Sequence, residues 1–166
     1  MSLIDSQNLF SDNQAITVDA ISANVIDTLA VAGAIGAGAT GGPSANVTRD
    51  LGAGQPLYLH VLVTTAFTTG DAGVLTVTLE SDSTANLATS ATVHLTAASV
   101  VAAATLVAGY WIAKGIPIPP GAYERYLGLR YTTTTGDFTG GKVTAWLSDK
   151  RHDTTQYYGG WKTGVN

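Results

Sequence analysis

The 166-residue chain is predicted to be an all-β protein, with its strands packed as an antiparallel sandwich. Three observations predict this: short segments in which apolar and hydroxyl-bearing side chains alternate, clusters of Gly, Asp and Thr between them, and many β-branched or aromatic residues. Alternation with a period of two places one face of a strand in the core and the other in solvent. Segments with turn signals at this spacing are typical of a sandwich or barrel, and not of parallel α/β units.

The clearest strands are predicted near the C-terminus, in segments 126–131 and 143–148. Alternate residues of both segments are apolar and are assigned to the core: Leu127, Leu129, Tyr131, Val143, Ala145 and Leu147. The run 132–141 between them is rich in Thr, Gly and Asp, which favour turns over helix. The sequence therefore predicts a long β-hairpin here.

Two further strands, 55–65 and 74–80, are predicted from the same alternation. Their core-facing residues are Leu57, Leu59, Val61, Val63, Leu75, Val77 and Leu79. His60 and Glu80 fall on the solvent-facing sides, and segment 68–73 is the predicted turn between the two strands.

The next segments are less regular. Residues 91–96 are predicted to form a short strand with Val93 and Leu95 on one face. Segment 99–112 contains alanines that tolerate helix, but its β-branched and aromatic residues favour a strand. The proline-rich segment 116–121 then predicts a rigid extended crossover, because proline has no N–H to donate to a sheet.

The composition divides the chain into three parts. Residues 1–29 are acidic and are predicted to form an extended N-terminal arm with one or two short strands, and residues 30–149 form the sandwich domain. That domain begins with a Gly-rich loop at 30–46. Residues 150–166 depart from alternation and are predicted to be a flexible tail, whose aromatic residues either anchor on a neighbour or fray.

Charge and composition exclude several classes of function. Charged residues make up 12% of the chain and the net charge is -4, which argues against a nucleic-acid partner because phosphate binding needs a concentrated basic face. A surface with so few charges is expected where neighbouring subunits cover it. The chain has no cysteine, its N-terminal residues do not resemble a secretory signal, and its most apolar window is too short to span a membrane.

No enzyme site is expected. Residues 36–41 match the letters of the dinucleotide-binding fingerprint, but Gly42-Pro43-Ser44 prevents the helix that this motif requires and no acidic residue follows at the ribose-binding distance. His60 and His94 could share a metal only if their strands pair, and no third ligand stands out. The sequence predicts no catalytic residue, no cofactor and no metal site.

Several stretches in consistent order between residues 3 and 150 carry a resemblance to a known family. They are 8–12 (NLFSD), 14–17 (QAIT), 22–27 (SANVID), 49–54 (RDLGAG), 106–110 (LVAGY), 124–132 (ERYLGLRYT) and 138–145 (FTGGKVTA). Together they resemble the capsid cement, or decoration, proteins of tailed bacteriophages. The resemblance implies a jelly-roll β-sandwich that binds the outer surface of a capsid. The tail 150–166 lies outside it.

The function expected from this resemblance is structural. It implies a homo-oligomer, with a trimer preferred over a dimer, that cements neighbouring major capsid protein subunits after synthesis in the host cytoplasm. The candidate interface residues are Phe10, Asp12, Arg125, Arg130, Tyr157, Tyr158 and Trp161. Arg130 either pairs across an interface or lies on a solvated face.

Two alternatives to this function remain open from the sequence. One is a carbohydrate-binding or host-surface adhesion module that stacks sugars on exposed Tyr58, Trp111, Trp146 or Trp161. The other is an enzyme of unknown type that uses His60 or His94.

Overall fold

The computed structural model describes residues 8–28 and 56–151. Within these ranges the chain forms strands, turns and a 3-10 turn at Ala103–Thr105, with no α-helix. The strands are β1 (Leu9–Ala15), β2 (Ala20–Ile21), β3 (Ile26–Asp27), β4 (Tyr58–Thr69), β5 (Val74–Asp82), β6 (Thr92–Ala102), β7 (Trp111–Pro117), β8 (Tyr126–Thr134) and β9 (Phe138–Ser148).

The strands form two antiparallel sheets. The first sheet has the order β1-β9-β4-β7, and the second has the order β2-β8-β5-β6, with β3 pairing beside β2 along the same edge of β8. Apart from β2–β3 and β5–β6, each pair of consecutive described strands lies in different sheets, so the chain repeatedly crosses the sandwich. This two-sheet arrangement is that of a jelly roll, and the predicted fold class is confirmed.

The core lies between the sheets and contains the residues that alternation assigns to it. Leu59, Val61 and Val63 of β4 are fully buried, and so are the central apolar residues of β5, β8 and β9. Tyr131 is the largest of these side chains, and its hydroxyl lies 2.8 Å from Ser11 Oγ on β1. Burial raises the pKa of Tyr131, and the hydrogen bond with Ser11 offsets part of that increase.

The predicted hairpin between residues 126 and 148 is wrong, although both strands exist. β8 pairs with β5 in the second sheet and β9 pairs with β1 and β4 in the first. The segment between β8 and β9 therefore passes from one sheet to the other. Likewise β4 and β5, which were expected to meet through a turn at 68–73, lie in different sheets. Alternation specifies which face of a strand is buried, but two strands that cover the same core from opposite sheets show the same pattern.

The predicted continuous strand at 99–112 is also wrong. β6 continues from Thr92 to Ala102, a 3-10 turn and a loop follow, and β7 begins at Trp111. The break allows Leu106 to enter the core, where it is fully buried, and Gly109 turns the chain at a φ of +86°. Val93 does not share a buried face with Leu95, because its side chain is 54% exposed.

Residues 8–28 were expected to form an extended arm, and the structure builds them into the sandwich. β1 is an edge strand of the first sheet, while β2 and β3 form an edge of the second. Phe10 and Ile16 are fully buried in the core. The Gly-rich loop at 30–46 and tail residues 152–166 lie outside the described residues.

Candidate interaction surface

The described strands form two sheets with four edges, and each edge carries a feature that discourages pairing with another strand. β1 carries Asp12 and is irregular in its pairing with β9, whereas β7 carries Lys114 and ends at Pro117. The edge formed by β2 and β3 consists of two-residue strands. Charges, prolines, short strands and β-bulges are the usual means by which proteins protect sheet edges from other chains.

The fourth edge, β6, is different in composition. Its eleven residues include no charged residue, no proline and no glycine. Val93 and Val100 on this strand are 54% and 64% exposed, so two apolar side chains face solvent. We refer to β6 with these two valines as the β6 edge.

The pairing of β6 with β5 is irregular. The register shifts between Val93 and Leu95, between Thr96 and Ala98, and between Ala98 and Val101. Each shift leaves an extra residue on β6, as in a β-bulge, and increases the local twist. At one shift Val100 adopts a φ of +54°, and its N–H donates to Thr76 Oγ1 at 3.2 Å. The β6 edge is therefore uncharged, and its backbone is irregular and bulged.

Arg125, a predicted interface residue, is engaged within the chain. Its Nη2 lies 2.9 Å from Asp27 Oδ2, and its guanidinium lies 4.8 Å from the ring centroid of Tyr126. The hydrogen bonds that Arg125 donates to the Asp27 carboxylate raise the pKa of Arg125. The pair joins the N-terminal segment to the start of β8, although the arginine side chain remains 39% exposed.

Arg130 is also engaged within the chain. Its Nε donates to Glu80 Oε2 at 2.7 Å, and its Nη2 donates to the carbonyl of Leu87. Leu87 belongs to the loop 83–91, between β5 and β6, and its buried side chain lies against Gly128 on the outer face of the second sheet. The solvated face expected around Glu80 and Arg130 is thus covered by this loop, and Glu80 is only 4% exposed.

Asp82, at the start of the same loop, accepts hydrogen bonds from four of its residues. One carboxylate oxygen accepts hydrogen bonds from the N–H of Thr84 and the hydroxyl of Ser83, and the other accepts from the N–H groups of Thr89 and Ser90. An aspartate in a turn commonly caps its own backbone, and the contact with the N–H of Thr84 is of that kind. No feature of the sequence predicted the hydrogen bonds from residues 89 and 90 to Asp82. Because the N–H groups point at the carboxylate, this residue holds the loop in place and is not arranged as a metal ligand.

The other predicted interface residues are distributed differently. Phe10 is fully buried, so its side chain belongs to the core and not to the outer surface of the domain. Asp12 is exposed on β1. Tyr157, Tyr158 and Trp161 lie outside the described residues.

Ser81 and His94 form a partly buried polar contact at one end of the sandwich. Ser81 Oγ lies 2.7 Å from His94 Nε2 and accepts the N–H of Glu124 at 3.0 Å. The His94 ring packs on Tyr123 at 4.2 Å between centroids, and burial lowers the pKa of His94 while Glu124 partly opposes that shift. A serine beside a histidine can act as a nucleophile, but Ser81 is fully buried, so no substrate reaches its oxygen.

His60 lies in a different part of the molecule from His94. It is on β4 in the first sheet and stacks on Trp146 at 5.2 Å between centroids, while its Nε2 lies 3.1 Å from the carbonyl of Lys150. β4 does not pair with β6, so the condition for a shared metal site is not met. Residues 8–28 and 56–151 contain no cluster of three potential metal ligands.

Two of the aromatic residues considered for sugar stacking, Trp111 and Trp146, lie against His60. Trp146 is only 6% exposed, and its ring lies 5.9 Å from Trp111. Trp111 and Tyr58 are half-buried, and Trp161 is outside the described residues. A flat, exposed aromatic platform is therefore not formed by Trp146. No helix in the described part of the chain is long and apolar enough to cross a membrane.

The described strands form a jelly-roll β-sandwich with one uncharged sheet edge. Residues 10–147 match the family model described as Bbp16. The match covers most of the 166 residues, and the chain belongs to the Bbp16 family. No curated protein matches it.

Proposed function

We propose that this protein is a structural virion component that attaches to the outer surface of a bacteriophage capsid as a homo-oligomer and cements neighbouring major capsid protein subunits. The observation that carries the proposal is the β6 edge, an uncharged strand that presents two valines to solvent. The resemblance of several ordered segments to phage cement proteins supplies the identity of the partner. A trimer is the oligomer that this resemblance favours.

The mechanism is adhesion without chemistry. A free strand edge adds to another sheet through main-chain hydrogen bonds, and exposed apolar side chains next to it lose contact with water. Several copies joined to one another bind a repeating shell more strongly than one copy, because each further attachment is intramolecular. A rigid sandwich suits this role since it holds the contact surfaces at fixed positions.

Arg125 and Arg130 form ion pairs within the chain, which limits their use in attachment to a capsid. Arg125 and Arg130 are held by Asp27 and Glu80, and using either at a capsid interface would break an existing ion pair. Attachment is therefore expected to depend on apolar and main-chain contacts more than on these two charges. Arg130 is therefore expected to stabilise the fold and not to recognise the capsid.

Image reconstruction tests the proposal directly. Capsids that lack this protein are incubated with the purified chain, and the particles are compared with and without it by electron cryomicroscopy. The expected result is additional density outside the shell, bridging neighbouring capsid subunits and shaped as a two-layer β-sandwich. Particles without added density at saturating protein would contradict it. Specific binding of the isolated protein on a glycan array would instead favour the adhesion alternative.

A further inference from the structure

We infer that His94 is an acid-sensitive clasp that holds segment 118–125, which connects β7 to β8, against one end of the sandwich. The neutral imidazole completes a chain of hydrogen bonds that runs through Ser81 to the backbone of Glu124. The protonated imidazole breaks that chain, so acid is expected to loosen the segment. This property belongs to the fold and does not depend on the proposed attachment to a capsid.

An irregularity of β6 brings His94 to this position. The register of β6 against β5 shifts between Val93 and Leu95, which leaves His94 as the extra residue on β6. An extra residue of this kind re-aims its side chain relative to regular alternation. The side chain of His94 is half-buried, whereas Val93 beside it is exposed. The bulge thus turns the imidazole toward Ser81 on β5.

Ser81 links His94 to segment 118–125. Its Oγ accepts the N–H of Glu124 at 3.0 Å and lies 2.7 Å from His94 Nε2. The side chain of Ser81 is fully buried, so its hydroxyl hydrogen needs an acceptor within the protein. Neutral His94, with its own hydrogen on Nδ1, supplies that acceptor at Nε2. The serine hydroxyl therefore satisfies the backbone of the segment and is itself satisfied by the histidine.

Protonation of His94 removes this acceptor. An imidazolium carries a hydrogen on both nitrogens, so its Nε2 donates to Ser81 Oγ instead of accepting from it. The serine hydrogen then loses its partner in a position that water does not reach. A buried donor without an acceptor costs the free energy of its desolvation. Movement of segment 118–125 away from β5 admits water to both groups and relieves this cost.

Tyr123 belongs to the same clasp. Its ring packs on the His94 ring at 4.2 Å between centroids, and its hydroxyl donates to the carbonyl of Pro119 within the segment. Tyr123 also packs against the core. Burial lowers the pKa of His94 and raises the pKa of Tyr123, so the closed segment favours the uncharged form of both groups.

The charges around the clasp modify this preference without reversing it. Glu124 is the charged residue that acts on His94, and it opposes the effect of burial, which is the larger of the two. β6 itself has no charged residue. The charged residues that flank Ser81 and Glu124 in the chain are engaged with other partners: Glu80 with Arg130, Asp82 with loop 83–91, and Arg125 with Asp27.

The direction of the pH dependence follows from proton linkage. The pKa of His94 in the closed state is lower than its ordinary value of 6.5. Between these two values an open segment binds a proton that the closed segment does not, so acid favours opening. The clasp is fully closed above about pH 6.5 and weakens as the pH falls below it.

Amide hydrogen exchange measured by NMR on the full chain tests the clasp. The Glu124 N–H, after correction for intrinsic exchange, is expected to lose protection by at least about threefold between roughly pH 7.5 and pH 4.5. The midpoint should match the titration of the His94 ring signal and not those of the other two histidines of the chain. The N–H of Phe67, bonded to the carbonyl of Leu106 at the other end of the sandwich, is the internal control and should change less.

Substitution of His94 provides a second test. His94→Gln cannot be protonated, but its side-chain carbonyl can still accept the Ser81 hydroxyl. The variant should remain folded by circular dichroism, keep the Glu124 N–H protected at neutral pH and lose the acid-dependent change. Thr96→Gln is the matched control, because Thr96 is exposed on the same strand and should leave the pH dependence of the wild type intact.

Several results would overturn the inference. One is a Glu124 N–H whose corrected protection in the wild type does not change with pH. Another is an equal loss at Phe67, which would indicate general acid destabilisation and no local clasp. A His94→Gln variant that keeps the wild-type pH dependence would assign the titration to another group. If that variant does not fold, the midpoint comparison in the wild type still decides the matter.

Discussion

At the scale of single residues, Gly141 illustrates how one backbone position fixes a core contact. Its φ is +142°, and a Cβ built there would lie 2.5 Å from the ring of Phe67, which packs edge-on against Phe138. Gly141→Ala must therefore adopt a conformation that favours glycine and also displace a buried ring. We expect it to lower the free energy of unfolding by about 2–4 kcal/mol, measured by urea denaturation.

Gly70→Ala is the matched control for that substitution. A Cβ at Gly70 meets no atom within 4 Å, and its φ lies outside the left-handed region. We expect its effect on unfolding to be within about 0.5 kcal/mol of zero. A second check is Phe67→Leu combined with Gly141→Ala, which should cost less than the sum of the two single substitutions because they share one contact. Additive effects would indicate that the ring does not oppose the added methyl group.

Asp82 is the residue whose ionisation matters most for the loop 83–91. Burial raises the pKa of its carboxyl, but hydrogen bonds from the N–H groups of Thr84, Thr89 and Ser90 and from the Ser83 hydroxyl outweigh this and lower it to about 2. Its ordinary value in an unfolded chain is about 3.9. The folded state therefore prefers the charged form, and the stabilisation is fully present above pH 4 and lost as the pH falls through about 2.

The corresponding prediction concerns acid stability. The thermal midpoint of the wild type should decline between pH 4 and pH 2, and Asp82→Asn should lower the midpoint at pH 7 while flattening its dependence on pH in that window. Differential scanning calorimetry measures both. Asp71→Asn is a suitable control, because Asp71 is exposed in the turn before β5. An unchanged acid profile in Asp82→Asn would show that the loop is held by other contacts.

At the scale of elements, the connection between β6 and β7 depends on the neighbours Leu106 and Val107. Leu106 is fully buried and its carbonyl accepts the N–H of Phe67, whereas Val107 is 52% exposed. We expect Leu106→Ala to lower the free energy of unfolding by about 2–5 kcal/mol because it leaves a cavity. Val107→Ala should change it by less than about 0.5 kcal/mol. Denaturation curves of the pair that differ by less than 1 kcal/mol would contradict the assigned burial.

The elements also show how far the sequence could predict the fold. Alternation placed Leu127, Leu129 and Tyr131 correctly on the inner face, because that pattern records burial residue by residue. It could not assign β8 and β9 to different sheets, since strand partners are fixed by contacts between distant parts of the chain. The strand break around Leu106 was missed because the β-branched and aromatic residues of 99–112 favour a strand, and Gly109 alone did not outweigh them.

The candidate interface was predicted less completely. The absence of charge in segment 91–102 is visible in the sequence, but its position at a sheet edge is not, so the sequence could not single it out. Arg125 and Arg130 stood out as charges beside a good strand, and the structure pairs both inside the chain. Glu80 was expected in solvent and is buried, because loop 83–91 folds over the outer face of its sheet.

At the scale of the whole molecule, some of the few charges hold the fold together. The ion pairs of Arg125 and Arg130 join segments that are distant in the sequence, and the β6 edge has none of the 20 charged residues of the chain, which comprise 8 basic and 12 acidic ones. Contacts made through such a surface depend on apolar burial and main-chain hydrogen bonds. Dissolved salt screens charge pairs but leaves these contacts largely unaffected.

This predicts how assembly responds to ionic strength. We expect both self-association and capsid attachment to change by less than about threefold between roughly 0.05 and 0.5 M NaCl, whereas an interface built on charges would weaken substantially over that range. Ammonium sulfate should strengthen both, because it favours apolar burial. Sedimentation of capsids with bound protein at each salt concentration measures attachment, and light scattering measures self-association. A tenfold loss of either with NaCl would mean that exposed charges, such as Asp12 or Lys114 on the other edges, form the contact instead.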